Sequence, residues 1–106
     1  MNSHVFDRQR WARMTMFEQM GNIGSEVGRS LAAKRRGDQQ SMRGALYRGL
    51  DLIDVTAELW ADQKSPRTTE LLRAREQFVE AITTDKNDPD LENYFMQYAL
   101  AARRDR

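Results

Sequence analysis

Apolar side chains recur every three or four positions along nearly the whole chain, and the interruptions fall at turn signals. The first stripe runs Met14, Phe17, Met20, Gly24, Val27, Leu31. The second runs Met42, Leu46, Gly49, Ile53, Ala57, Trp60 and is widened by Leu50, Leu52 and Leu59. Leu71, Leu72, Phe78, Val79 and Ile82 form a third, and Leu91, Tyr94, Phe95, Tyr98 and Ala102 a fourth. Spacing of this kind marks helices that each turn a broad apolar face to a core. No segment alternates with a period of two, so no strand is expected.

The punctuation agrees with four helices. Lys34, Arg35 and Arg36 are cations at a helix C-terminus, Gly37 supplies a left-handed stop, and Asp38 can cap the next helix. Ser65-Pro66 and Asp88-Pro89 place a capping residue before a proline at the first helical position. Helices are therefore predicted near 7–36, 39–62, 66–84 and 89–103. Short connections make neighbours antiparallel, so the expected fold is all-α, an up-down-up-down four-helix bundle in one domain over residues 1–106. The first helix would be about 45 Å long and the last about 23 Å. That mismatch leaves two alternatives. The first helix breaks near Gly21-Asn22 and folds back, or its N-terminal turns pack on another chain. The second is the expectation here, with Phe6, Trp11, Met14 and Phe17 as interface anchors.

Three glycines in GNIGSEVG, residues 21–28, stand inside the first helix, each costing roughly 1 kcal/mol against alanine. With Gly37 as the tip of a helical hairpin, Gly24 falls opposite Gly49, Gly28 opposite Ala45, Glu26 opposite Arg48, and Phe17 near Ala57. Small residues four apart on facing helices permit close backbone approach, which can offset the propensity cost. The block fits no phosphate-binding loop. The spacing G-x-x-G-x-x-x-G lacks the preceding strand of a dinucleotide fingerprint, and the Lys-Ser/Thr of a P-loop is missing. A nucleotidyltransferase-like Gly24-Ser25 is followed by Asp38, but position 40 is Gln rather than the second acid.

Composition narrows the chemistry. The chain has no cysteine, which excludes disulfides, thiolate catalysis and cysteine-based zinc sites, and no run of about 18 apolar residues that could span a membrane. The N-terminus has no apolar leader core, so a soluble cytoplasmic protein without a membrane partner is expected. The one histidine, His4, lies near the terminus, where a general base is not expected. Asp51, Asp54 and Glu58 share one helical face but have no matching carboxylates elsewhere. They read as a solvated face or as ion-pair partners rather than a metal site. Asn22, Glu26 and Arg29 form a polar line beside the glycines. No catalytic residue, metal or cofactor is assigned.

The net charge of +1 conceals a basic first third: residues 1–37 carry seven Lys and Arg against three Asp and Glu. An alternating bundle would gather Arg8, Arg10, Arg13, Lys64, Arg67, Arg103, Arg104 and Arg106 at one end, with Trp11 and Trp60 nearby. Arginines grip phosphates and aromatic rings stack on bases, so this end is the candidate nucleic-acid surface.

The blocks NIGSEVGRSLAAKRRGD, ALYRGLDLIDVT, LLRAREQF and YFMQYALAAR resemble a group of small uncharacterised bacterial helical-bundle proteins over residues 14–103. More distantly, the chain is similar to helical partners of minimal nucleotidyltransferases in toxin–antitoxin pairs. The resemblance implies a compact helical fold and brings no catalytic residue, because the Arg-to-His motif of ribonuclease-active relatives is absent. The resulting expectation is a non-enzymatic interaction or adaptor protein that self-associates or binds a partner protein through the start of the first helix. A nucleic-acid-binding accessory protein, in a two-component bacterial system, is the alternative.

Overall fold

The stripe through Met14, Phe17 and Met20 predicts an unbroken helix, yet Thr15 and Glu18 form a capping box inside it. The Thr15 hydroxyl accepts the Glu18 amide at 3.1 Å, and the Glu18 carboxylate accepts the Thr15 amide at 2.9 Å. Met14 and Thr15 are both extended, with ψ of 152° and 160°, and the chain bends there. The computed structural model describes residues 7–86 and 89–104, the side chains of 99 and 101–104 excepted. The described residues form five helices: α1 Arg8–Arg13, α2 Met16–Arg35, α3 Gln39–Asp62, α4 Thr68–Thr83 and α5 Pro89–Arg104. The long first helix is thus broken, but at Met14–Thr15; Gly21 and Asn22 lie within α2. The described residues contain no strand, and no helix among them is long and apolar enough to cross a membrane.

Two of the connections stop helices by the same device. After α2, the Gly37 amide donates to Lys34 and the Asp38 amide to Ala33, with Gly37 at φ 76°. After α3, the Lys64 amide donates to Ala61 and the Ser65 amide to Trp60, with Lys64 at φ 56°. Both are Schellman turns; the second places a lysine in the left-handed region that glycine occupies more cheaply. Asp38 then caps α3 by accepting the Ser41 amide at 3.1 Å. Hydrogen bonds from Ser41, side chain first and then backbone, hold the Asp38 carboxyl below its usual 3.8. The third helix begins later than the Ser65-Pro66 signal predicts. The Ser65 hydroxyl accepts the Arg67 amide in a local turn, and α4 starts at Thr68. The predicted cap Asp88 lies outside the described residues.

Helix α2 is the central element, packed against α3 on one side and α5 on another, while α4 lies mainly on α3. Met20, Ile23, Val27, Ile53, Leu71, Phe78, Leu91 and Phe95 are fully buried between them. The α2–α3 hairpin has the expected register, with Arg48 Nε 3.0 Å from Glu26 Oε2. The two backbones approach closely enough for the buried Ser30 hydroxyl to donate to the Met42 carbonyl at 2.9 Å.

Lys34 ties α2 to the end of α4. Its ammonium donates to the Ala81 carbonyl at 2.6 Å and also to the Thr84 carbonyl. Carbonyls in the last turn of a helix lack intrahelical donors and carry the negative end of the helix dipole. Substituting Lys34 by Met keeps the apolar stem but removes the donor. The expected loss is about 1–2 kcal/mol of stability, read as a lower urea midpoint at unchanged slope.

Candidate functional site

Two of the glycines also meet helices outside the α2–α3 hairpin. A Cβ added at Gly24 would stand 2.7 Å from the Phe95 Cβ of α5, so the bare glycine admits α5. At Gly49 it would meet the Phe78 ring edge at 2.9 Å and the Glu26 Cβ at 3.4 Å, so this glycine seats α4's aromatic ring. Gly28 would meet nothing within 4 Å, while Ala45 is buried. Gly24 and Gly49 thus form two notches, each receiving a phenylalanine from a different helix, Phe95 of α5 and Phe78 of α4. Helix α2 has to meet both α3 and α5, and its small residues are where the second of these can approach.

Trp11 carries α1 into the core. It is 5% exposed and is the one buried residue of that six-residue helix. Its indole N–H donates to the Thr56 hydroxyl at 2.8 Å, and its carbonyl accepts the Gln19 amide nitrogen at 2.8 Å. The Gln19 oxygen accepts the Trp60 indole N–H at 3.2 Å, and Thr56 donates onward to the Leu52 carbonyl at 2.6 Å. Every polar atom that this cluster buries therefore has a partner, as a buried network requires. The cluster fixes α1 on α2 and α3. Of the predicted interface anchors, Trp11 is thus consumed within the chain. Met14 and Phe17 are half-buried against the same core, Phe17 with its ring 6.1 Å from that of Tyr98. Phe6 lies outside the described residues.

The arginine-rich end is gathered in part. Contacts from Trp11 to Thr56, Gln19 to Trp60 and Arg67 to Tyr98 bring together α1, the start of α2, the end of α3, the start of α4 and the last turns of α5. Arg8 lies 2.7 Å from Glu58, both exposed. Arg67 donates to the Tyr98 hydroxyl at 3.1 Å. Arg10, Arg13 and Lys64 are exposed, Arg103 and Arg104 stand on the last turn of α5, and Arg106 lies outside the described residues. Neither tryptophan is presented there for stacking, since Trp60, like Trp11, is 5% exposed and has its N–H committed. Burial, and then the neighbouring Tyr98, push the Tyr94 hydroxyl well above the ordinary tyrosine range, so it stays protonated.

Of the carboxylates on the α3 face, Asp54 and Glu58 are engaged by arginines, and Asp51 is exposed. Asp54 accepts Arg75 at 2.7 and 3.4 Å, a pairing that raises the Arg75 pKa, and Glu58 accepts Arg8. Glu26, with a side chain 12% exposed, lies between Arg48 and Arg29. Its Oε1 is 3.3 Å from the Arg29 guanidinium without hydrogen-bond geometry. The predicted polar line of Asn22, Glu26 and Arg29 divides: Asn22 turns back to the Glu18 carbonyl at 2.8 Å.

One surface feature escaped the sequence reading. Met96 and Leu100 are 54% and 48% exposed, one turn apart on α5, on the side opposite the buried Leu91, Phe95 and Tyr98. The signal was present as two large apolar residues left over once the inward stripe of that helix had been assigned. No family model, curated protein or solved structure matches this chain.

Proposed function

We propose that this chain is a non-enzymatic helical interaction protein that self-associates. Its scaffold is read as an antiparallel four-helix arrangement of α2–α5, with α1 as an appended turn. The observation that carries the reading is the outward pair Met96 and Leu100 on a helix whose other face is already committed to the core. Large apolar side chains adjacent on one exposed helix face are the usual anchors of helix-mediated association. The association surface is accordingly placed on α5 rather than on the start of the first helix, where Trp11 serves the chain's own core. Nucleic-acid binding by the arginine-rich end loses its stacking platforms, because both indoles are enclosed.

Sedimentation velocity over a wide range of protein concentrations tests the proposal at low and at high salt. The expected result is a mass that rises with concentration and falls far less with salt than phosphate binding would. A monomer at every concentration defeats self-association. An RNA complex whose affinity falls steeply with salt would support the nucleic-acid reading instead.

A further inference from the structure

Helix α5 has an unusual charge pattern. Residues 93–102, NYFMQYALAA, contain no charged side chain, in a chain in which 31% of residues are charged. Acids precede this stretch, at Asp90 and Glu92, and Arg103 and Arg104 follow it. Those flanks complement the dipole of α5 itself. A helix dipole gives no reason for an exposed face without charge between them, and that face carries Asn93, Met96, Gln97 and Leu100.

We infer that two copies of this chain pair through α5, antiparallel and related by a two-fold axis, with Met96 of one copy against Leu100 of the other. The inference deepens the self-association proposed above and rests on it. Its occupant is decided by charge complementarity. An antiparallel pairing that sets Met96 opposite Leu100 also sets position 92 opposite position 104, four residues further out on each side. Acid then meets base at both ends of the contact. The parallel arrangement would stack acid on acid and base on base. The uncharged centre buries Met96 and Leu100 of both copies without taking an ionised group out of water. A two-fold contact of one surface with itself closes at the dimer and does not propagate into a fibre. Helix α5 is about 24 Å long, so the contact belongs with small, concentration-dependent interfaces rather than obligate ones.

The test is a charge-swap cycle on the full chain, read by sedimentation equilibrium, with circular dichroism to verify that each variant is folded. Met96→Glu with Leu100→Glu is expected to weaken dimerisation about tenfold or more. Glu92→Arg alone and Arg104→Glu alone are each expected to weaken it about two- to fivefold, and the double variant to restore it. All four substitutions lie on an exposed or half-exposed face or on the last turn. The Glu92 ion pair with Arg35, at 3.5 Å, is a surface contact whose loss leaves the fold intact. A dimer that ignores the Met96 and Leu100 changes, or charge reversals that are not rescued together, overturns the α5 pairing while leaving self-association standing. A wild-type chain that never dimerises overturns both.

Discussion

Replacing Trp11 by alanine is expected to cost about 3–5 kcal/mol, a large share of the roughly 5–15 kcal/mol that holds a domain of this size together. Two effects add. The indole is 5% exposed, so its removal opens a cavity between α2 and α3. The indole N–H also supplies the buried Thr56 hydroxyl, and α1 is anchored through this one buried residue. With it gone, the Trp11 backbone carbonyl leaves the Gln19 amide, whose oxygen holds Trp60. Loss of one side chain should therefore release the whole of α1. Trp11→Phe restores most of the buried ring but not the donor, and is expected to cost about 1–3 kcal/mol. Urea unfolding followed by circular dichroism measures both. A Trp11→Ala variant within 1 kcal/mol of wild type would show that α1 contributes nothing to the core.

The second large effect is a contrast in sign between two glycines four residues apart on the same helix. Gly24→Ala gains about 1 kcal/mol of helix propensity but puts a methyl 2.7 Å from the Phe95 Cβ. A Cβ cannot rotate away as the tip of a long side chain can, so α5 itself has to move. Overpacking of this kind costs about 1–3 kcal/mol, and Gly24 belongs at the upper end, so the net change is destabilising. Gly28→Ala meets nothing within 4 Å and keeps the propensity gain, stabilising by about 0.5–1 kcal/mol. Thermal melts of the two variants should shift in opposite directions. Equal shifts would mean that α5 does not press on α2 at Gly24.

Much of the local structure was legible in the sequence because its causes are local. The end of α2 and the start of α3 follow from Lys34 to Asp38, where a left-handed glycine and a capping aspartate act within one turn. The α3 span was predicted as 39–62 and is found there, since its stripe and its cap agree. The break at Met14–Thr15 was also written in the chain, as Thr15 and Glu18 three apart, but the continuous stripe of methionines and Phe17 concealed it. Lys64 gave no warning of its left-handed turn, because that conformation is imposed by the Trp60 and Ala61 carbonyls and not by a glycine.

The candidate surfaces were less legible. Small residues at helical spacing announce that something approaches closely, and hydrophobic periodicity cannot say which helix it is. Gly24 proved to receive Phe95, and Gly49 to receive Phe78, both from helices far along the chain. Trp11 looked like a free anchor while its segment was extended in line with α2, and the fold-back turned it inward. Met96 and Leu100 became a surface feature only when Leu91, Phe95 and Tyr98 were seen to take the core side of α5.

Helical character, turn positions and the register of the α2–α3 hairpin were therefore settled by residues acting over one or two turns, where sterics and capping leave few choices. The partner of each glycine, the burial of both indoles and the side of α5 left to solvent were settled by how five helices share one interior. That allocation is a competition for volume among residues remote in sequence, and no periodicity records its outcome.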